Sequence, residues 1–308
     1  MALDVLLLLA LPAAGKSEIR TYLDHLEEPD LAGLGFGPQV HLDDYPYVHL
    51  MRRLSAGLRE AGRPAGFFAG DASPMLEPRD WGTLIHLVNQ DFGALEAEPL
   101  SPSILDRFDD ARIAVGAEPV FADLPGELRG DLEALIADDV PSHPEPTPEG
   151  ATIVIEFARG GPEGAEPPLP DPLGYQYSLR QLAPGLLQRA SILYVWVTPE
   201  ESRRRNRERA QPGPAGDASI LHHGVPEVVM RGDYGMDDLG WLLATSGTPG
   251  HVAVEAWGER FRMPTARFDN RDDRTSFLRA DPAEWPPDEV AGIHAGLSEA
   301  LASLQPPG

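Results

Sequence analysis

The sequence predicts a three-layer α/β fold, in which helices cover both faces of a five-stranded, mainly parallel sheet. Three observations predict this fold. Five short apolar runs alternate with helical patterns along the 308 residues, as strands and helices do around a parallel sheet. The first run leads through a short loop directly into a helical pattern. Residues 43–150, between the second and third runs, are far more than one crossover connection needs, which predicts a helical insertion.

The five predicted strands are continuous apolar runs, which is typical of strands buried on both faces of a parallel sheet. They cover residues 5–9, 39–42, 152–157, 192–197 and 265–268. Apolar residues at helical spacing predict helices near 48–58 and 177–187, and an arginine-rich helix follows residue 200. A last helix is predicted over 287–304.

The insertion, residues 43–150, contains three further helical patterns, near 78–96, 102–114 and 124–138. Because caps and lids lie beside the carboxyl ends of parallel strands, we interpret the insertion as a substrate cap. Loops rich in Pro and Gly lie at 160–174 and 211–216, and we interpret residues 200–235 as a lid region. The whole chain, 1–308, is then one domain that carries both segments.

The charge balance excludes some classes of partner. Asp and Glu number 49 against 25 Lys and Arg, and the formal net charge of -24 repels polyanions, so we expect neither nucleic acid nor a membrane as partner. No apolar run reaches the roughly 18 residues that a membrane span needs. Asp4 stands where a secretory signal would be basic. The absence of Cys excludes disulfides and zinc–thiolate sites and fits a cytoplasmic protein.

Lys16 is the sole lysine of the chain, and it lies in residues 10–17, ALPAAGKS. This segment has the Walker A spacing, with Ala10 in the first glycine position, and it stands between a predicted strand and a predicted helix. A compact ammonium reaches the β- and γ-phosphates of a nucleotide from within a tight loop, where a planar guanidinium does not fit. An ordinary turn between a strand and a helix is the alternative.

The loop and the first helical turn supply the groups that a nucleoside triphosphate needs. Gly15 lets the backbone approach the phosphates, and the first amides of a helix point at the anion. Ser17 offers its hydroxyl to Mg²⁺. The predicted residues for binding ATP are Ala13, Ala14, Gly15, Lys16, Ser17 and Glu18.

Together these features resemble the P-loop kinases of small molecules, the group that includes uridine kinase, phosphoribulokinase, the nucleoside monophosphate kinases and the deoxynucleoside kinases. The resemblance covers the strands and the motifs, but not the insertion. It implies that the protein binds ATP and Mg²⁺ and transfers a phosphoryl group to a small molecule. Three weaker motifs follow along the chain in the order that these kinases have.

Asp43, Asp44 and Tyr45 follow the second predicted strand, where uridine-kinase-like proteins place an aspartate and an aromatic residue. The resemblance implies that one aspartate accepts the proton of the acceptor hydroxyl and helps to hold Mg²⁺. Adjacent side chains at a strand end point to opposite sides, and we favour Asp43. The alternative is a solvated cap of the following helix.

Glu156 ends the third predicted strand in the position of a Walker B carboxylate, where it holds a water of Mg²⁺ or acts as a base. Arg159, three residues later, is similar to the Glu-Arg pair after the third strand of deoxynucleoside kinases, which implies a contact with the nucleotide. The predicted metal-binding residues are therefore Ser17 and Glu156. Strands that end in an acidic residue are also common without such a role.

Five arginines lie within residues 203–209, after the fourth predicted strand, where the kinases begin their lid. Arginines at that place neutralise the charge of the phosphoryl group in transfer. Arg203 and Arg207 share one helix face and are our predicted pair, and Arg205 and Arg209 share another. A solvated helix with Glu–Arg pairs is the alternative.

Two other motifs are less informative. Residues 269–273, DNRDD, loosely resemble the guanine-reading motif of GTPases, but Arg159 stands where a GTPase has glycine. We therefore expect this loop to pack near the nucleobase. His222 and His223 diverge on any regular element and have no third ligand at the usual spacing, so we expect a loop or substrate contact rather than a metal site.

The leading hypothesis is an ATP- and Mg²⁺-dependent kinase with the catalytic residues Lys16, Asp43, Asp44, Arg203 and Arg207. Its partner is a small-molecule acceptor, hydroxylated or phosphorylated, with a nucleoside as the first choice by family analogy. The acceptor is expected between the second strand and the insertion, where the available side chains are Tyr45, Tyr47, Arg52 and Arg53. An NTP hydrolase and a non-catalytic nucleotide-binding module are the alternatives.

Overall fold

Six strands form one mostly parallel sheet in a computed structural model that describes residues 2–142, 147–210 and 224–304. They are β1 (Val5–Leu9), β2 (Gln39–Asp43), β3 (Thr152–Phe157), β4 (Ala190–Trp196), β5 (His251–Ala256) and β6 (Glu259–Asp269). Their order in the sheet is β2-β3-β1-β4-β6-β5. All neighbours are parallel except β5 and β6, which form an antiparallel hairpin.

Twelve α-helices lie around this sheet in the described ranges. Those before β3 are α1 (Lys16–Asp24), α2 (Glu28–Gly33), α3 (Tyr45–Glu60), α4 (Asp80–Leu95), α5 (Ile104–Ala114) and α6 (Gly126–Ile136). Those after β3 are α7 (Gly174–Arg180), α8 (Pro184–Arg189), α9 (Pro199–Arg209), α10 (Glu227–Gly232), α11 (Leu239–Thr245) and α12 (Pro287–Ala302). None of these helices is both long enough and apolar enough to cross a membrane.

The sheet has six strands where the sequence predicted five. The additional strand is β5, in which Val252, Val254 and Ala256 are buried while the alternate residues are more exposed. An edge strand with one face toward solvent alternates in this way and has no continuous apolar run, so the sequence did not predict β5. The predicted strand 265–268 is the last part of β6, which begins at Glu259.

The helix predicted over 177–187 is two helices, α7 and α8. α7 ends at Arg180, and Pro184 opens α8. Proline fits the first turn of a helix, where its missing N–H is not needed, but it breaks a helix interior. The other helices predicted in the described ranges are present, with ends shifted by a few residues.

The side chains of β1 face two separate cores. Val5, Leu7 and Leu9 pack with α4, α7 and α8, whereas Leu6 and Leu8 pack with α1 and α12. Both faces of β1 are therefore covered by helices, which explains its uninterrupted apolar sequence. The three layers expected from the sequence are confirmed.

The insertion folds as α3, α4, α5 and α6 around a third core. Its aromatic centre consists of Phe67, Phe108 and Phe121, whose ring centroids lie 5.5 to 6.4 Å apart. α10 joins this core through Val229 and Met230. Because α10 belongs to the region 200–235, the predicted cap and the predicted lid region pack against each other.

Candidate functional site

The loop between β1 and α1 is built around Gly15. Its φ of 109° is easily adopted only by glycine, and a Cβ there would lie 2.6 Å from both Asn270 Nδ2 and Thr275 Oγ1. Ala13 also has a positive φ, of 57°. The loop therefore requires glycine at position 15 and a residue that tolerates the left-handed region at position 13.

Two side chains from distant parts of the chain hold this loop. Asn270 Nδ2 donates to Ala14 O at 2.7 Å, and Ser202 Oγ donates to Pro12 O at 2.7 Å. Asn270 is fully buried, so its amide acts on the loop backbone. The sequence placed residues 269–273 near a nucleobase, and the structure adds this bracing contact, which no local pattern indicated.

The amides at the start of α1 have no acceptor in the described part of the chain. They are the N–H groups of Gly15, Lys16, Ser17 and Glu18. The next amide, that of Ile19, donates to Gly15 O at 3.0 Å. Free amides at a helix N-terminus, with the helix dipole behind them, form a place for an anion.

Lys16 extends from this turn toward the ends of β2 and β3. Its Nζ donates to Ala10 O at 3.3 Å, within the same loop. Burial lowers the pKa of Lys16. The negative charges of Glu156, Asp43 and Asp44 act against that shift, as expected for carboxylates close to the ammonium group.

Asp43 and Glu156 are paired in the register of β2 and β3, so their carboxylates are neighbours at the edge of the sheet. Arg20 of α1 lies between them, with Nη1 3.0 Å from Glu156 Oε1 and 3.7 Å from Asp43 Oδ2. Burial, together with the charges of Glu156 and Asp44, raises the pKa of Asp43 to about 7. The sequence did not indicate Arg20, because a helix arginine at this spacing has no distinguishing pattern.

Asp44 is buried and turns away from Asp43, toward Arg159. Arg159 Nη1 donates to Asp44 Oδ2 at 2.6 Å, while its other nitrogens donate to Ser178 Oγ at 2.9 Å and Trp81 O at 3.1 Å. All three nitrogens of Arg159 are thus bonded to protein oxygens. Arg159, which the sequence assigned to nucleotide binding, lies where it fixes the carboxylate of Asp44.

The arginines of α9 have different partners. Arg203 is buried, and its Nη2 lies 3.0 Å from a carboxylate oxygen of Glu163. Arg207, its predicted companion, is 56% exposed and lies 3.7 Å from Glu227. The two arginines of the predicted pair therefore have different surroundings, and Arg203 Nη1 is buried without a hydrogen-bond partner in the described residues. Residues 211–223 of the predicted lid region lie outside the described part of the chain.

Arg209 lies beside the β1–α1 loop. It forms an ion pair with Glu18, and Arg279 Nε donates to the same carboxylate oxygen of Glu18 at 2.7 Å. Burial acts to raise the pKa of Glu18, but the two arginines reverse this effect, and the pKa lies below its ordinary value. Glu18 was predicted for its position in the phosphate-binding turn, and its side chain places two guanidinium groups next to that turn. The arginine run was the signal for Arg209, whereas nothing in the sequence indicated Arg279.

No group of three or more His, Cys, Asp or Glu side chains in the described ranges is arranged to hold a metal ion. His222 and His223 lie outside those ranges. Mg²⁺ in phosphate sites takes one or two protein ligands and completes its shell with phosphate oxygens and water. Glu156 Oε1 is buried without a hydrogen bond, although Arg20 is within ion-pair distance. A carboxylate oxygen of this kind fits a Mg²⁺ ion that arrives with a phosphate ligand.

The arrangement joins open amides and an ammonium group on one side to three carboxylates on the other. Such a set of groups suits a polyanion bound together with a metal ion. The groups come from the carboxyl ends of β1, β2 and β3, the edge at which open parallel sheets bind ligands. No model of a known protein family matches the chain, and a search of curated protein sequences gives no significant match either.

Proposed function

We propose that the protein is an ATP- and Mg²⁺-dependent phosphotransferase of the P-loop kinase type that acts on a small acceptor. One observation carries the proposal: the sole lysine of the chain stands among four amides without acceptors and beside three carboxylates. Free amides stand at the start of every helix, but a turn that only connects a strand to a helix does not need a desolvated ammonium among them. A bound triphosphate needs both.

In this proposal the triphosphate binds at the β1–α1 loop. The amides of residues 15–18 and the Lys16 ammonium contact the phosphates. Ser17 and Glu156 hold Mg²⁺, which neutralises charge on the phosphoryl group in transfer. Arg209 adds a positive charge beside the loop, where it is ion-paired with Glu18, whereas Arg207 is exposed. This difference supports Arg209, rather than Arg207, as the arginine that acts during transfer.

The transfer also requires a carboxylate that accepts or orients the acceptor hydroxyl. Asp44 is already engaged with Arg159 at 2.6 Å. Asp43 accepts from the amide of Tyr45 through Oδ1, and its Oδ2 has a longer contact with Arg20, at 3.7 Å. This difference supports Asp43 as the base and Asp44 as a positioning residue.

A hydrolase or a non-catalytic module would also bind ATP through Lys16. The insertion, however, adds four helices with a core of their own next to Asp44. An enzyme that uses water as the acceptor has no need of such a layer. This observation favours a kinase, and the acceptor dependence of ADP release distinguishes the three functions.

Replacement of Lys16 tests the proposal. Lys16→Ala should lower the affinity for MgATP by about 100-fold, because a charge-assisted contact to phosphate contributes up to ~3 kcal/mol. Lys16→Arg should restore little of this affinity, since a planar fork does not fit the loop. Isothermal titration calorimetry measures both effects.

The control is Arg262→Ala, which removes the same charge from an exposed position on β6. It should bind MgATP as the wild type does. Wild-type affinity in Lys16→Ala would show that the nucleotide does not bind at this loop. Release of ADP that needs no acceptor would identify a hydrolase, and the absence of any release in the presence of a broad acceptor panel would identify a non-catalytic module.

A further inference from the structure

Side chains that the proposed phosphate site does not use meet between the insertion and the segment that follows α10. Tyr234 packs edge-on against Trp81, with ring centroids 5.6 Å apart and an interplanar angle of 70°. A Cβ on Gly160 would lie 3.2 Å from Tyr234 Cα, so this segment touches the chain just after β3. We name as the Tyr234 cluster the residues Asp44, Arg52, Trp81, Asp233 and Tyr234.

Two polar groups of the Tyr234 cluster have no hydrogen-bond partner in the part of the chain that the structure describes. Tyr234 is 9% exposed, and its hydroxyl is unpaired there. Asp233 Oδ2 is also buried and unpaired, and burial raises the pKa of Asp233 to about 6 against the opposing effect of Arg52. Because an unpaired buried polar group costs folding free energy, the buried oxygen of Asp233 indicates a ligand that satisfies it, and the hydroxyl of Tyr234 is free to contact the same ligand.

The two arginines near the cluster have different contacts. Arg159 is paired with Asp44 at 2.6 Å. Arg52 Nη1 donates to Asp71 O at 2.6 Å, and its guanidinium carbon lies 4.0 Å from the ring centroid of Phe68. Among the oxygens of the cluster, the carboxylate oxygen Oδ2 of Asp233 and the phenolic hydroxyl of Tyr234 have no hydrogen bond in the described residues. They accept hydrogen bonds from hydroxyl groups, and the carboxylate repels a phosphate.

The cluster is continuous with the proposed phosphate site. Asp44 follows Asp43 directly in the chain, and the charge of Asp44 acts on both Lys16 and Tyr234. A molecule held by the cluster is therefore next to the carboxylates at the end of β2. That is where an acceptor hydroxyl has to lie for phosphoryl transfer.

We propose that Asp233 and Tyr234 bind the phosphoryl acceptor and select an uncharged polyhydroxylated molecule over its phosphorylated counterpart. This inference rests on the proposed function. Asp233 accepts hydrogen bonds from hydroxyl groups of the acceptor, and the hydroxyl of Tyr234 provides a second polar contact. The sequence alone left both a hydroxylated and a phosphorylated acceptor open.

Matched pairs of compounds test the selection, and they distinguish a free sugar from a nucleoside as the source of the hydroxyl groups. Ribose, glucose, uridine and cytidine, each beside its monophosphate, are titrated calorimetrically into the wild-type protein without ATP. Each is then assayed for stimulation of ADP release from MgATP. We expect an unphosphorylated member to bind and to stimulate release. Preference for the phosphorylated members, or binding of MgATP with no response to any pair, overturns the inference.

Two variants test the assigned residues with the acceptor that responds. Tyr234→Phe should raise the KM for the acceptor about 10-fold, and Asp233→Asn about 100-fold, with smaller changes in kcat. Tyr234→Phe should leave the thermal midpoint unchanged, because its hydroxyl has no partner to lose in the described residues. The matched control is Asp131→Asn, at an exposed position of α6, which should change neither quantity.

If Asp233 and Tyr234 had a purely structural role, their variants would show a lower thermal midpoint and an unchanged KM for the acceptor. That result would overturn the inference. Failure of the proposed function is recognised separately. It appears as wild-type protein that does not bind MgATP or that releases ADP without an acceptor, whereas the acceptor titrations are made without ATP. A third result is that MgATP binding depends on Lys16, while variants of Asp233 and Tyr234 keep the wild-type affinity for the acceptor. This result refutes only the inference about the acceptor.

Discussion

Gly15→Ala tests how tightly the β1–α1 loop is confined. An alanine Cβ at this position would lie 2.6 Å from Asn270 Nδ2 and from Thr275 Oγ1, closer than atoms of these types pack. Neither neighbour is free to move without loss, because Asn270 Nδ2 donates to Ala14 O at 2.7 Å and to Thr275 Oγ1 at 2.8 Å. The φ of 109° is also unfavourable for any residue with a Cβ.

The expected loss follows from these contacts. The backbone conformation costs an alanine about 1–2 kcal/mol, and each hydrogen bond of Asn270 Nδ2 contributes about 1 kcal/mol. Gly15→Ala should therefore lower the free energy of unfolding by about 3–4 kcal/mol. Gly62→Ala is the matched control, because Gly62 has a φ of 68° with nothing within 4 Å of the added Cβ. It should lose only the backbone cost, about 1–2 kcal/mol.

Urea unfolding followed by circular dichroism measures both variants. A titration with MgATP on the folded Gly15→Ala protein should also show weaker binding, because the displaced loop moves the amides of residues 15–18. Equal destabilisation by Gly15→Ala and Gly62→Ala would refute the reasoning. It would mean that Asn270 and Thr275 yield to the new methyl group without cost.

Arg209→Ala should weaken MgATP binding about 10-fold, because Arg209 is ion-paired with Glu18 beside the loop. Arg207→Ala, at an exposed position, should bind MgATP as the wild type does. Calorimetry measures both affinities, and equal effects of the two variants would contradict the prediction. Asp43→Asn should raise the thermal midpoint at pH 8 but not at pH 4. The pKa of Asp43 is raised from 3.8 to about 7, so the stability that comes from its protonated form is lost as the pH rises through 7, and the uncharged amide does not suffer this loss. Thermal unfolding at pH 4 and pH 8 measures the change in midpoint. An unchanged midpoint at pH 8 would mean that the carboxylate of Asp43 is not destabilised in the folded protein.

The start of the chain could be predicted closely because its signals are local. β1 is a continuous apolar run, Gly15 and Lys16 mark the loop, and α1 repeats its buried residues at helical spacing. The insertion helices were found for the same reason. Two features that the sequence did not predict also have local causes. Strand β5 is an edge strand buried on one face, and Pro184 divides α7 from α8. Each of these patterns is too short to distinguish from its alternatives.

The carboxylate side of the candidate site could also be anticipated. Asp43 and Glu156 each lie at the carboxyl end of a predicted strand, and parallel strands bring these ends to one edge. The register of β2 and β3 then makes the two side chains neighbours. Asp44 already has the backbone of the helix that follows, with a φ of -82° and a ψ of -14°, so strand alternation predicts neither its orientation nor its partner Arg159.

By itself, the sequence determined that Lys16 stands in a glycine-containing loop between a strand and a helix, since spacing and residue type are properties of adjacent residues. Only the tertiary structure decided which distant side chains surround it. Arg20, Arg209 and Tyr234 lie on helices or turns whose orientation depends on how apolar faces pack into the three cores. A charged or phenolic group then takes whichever partner that packing brings near, and this partner can lie more than a hundred residues away, as Arg209 and Glu18 do.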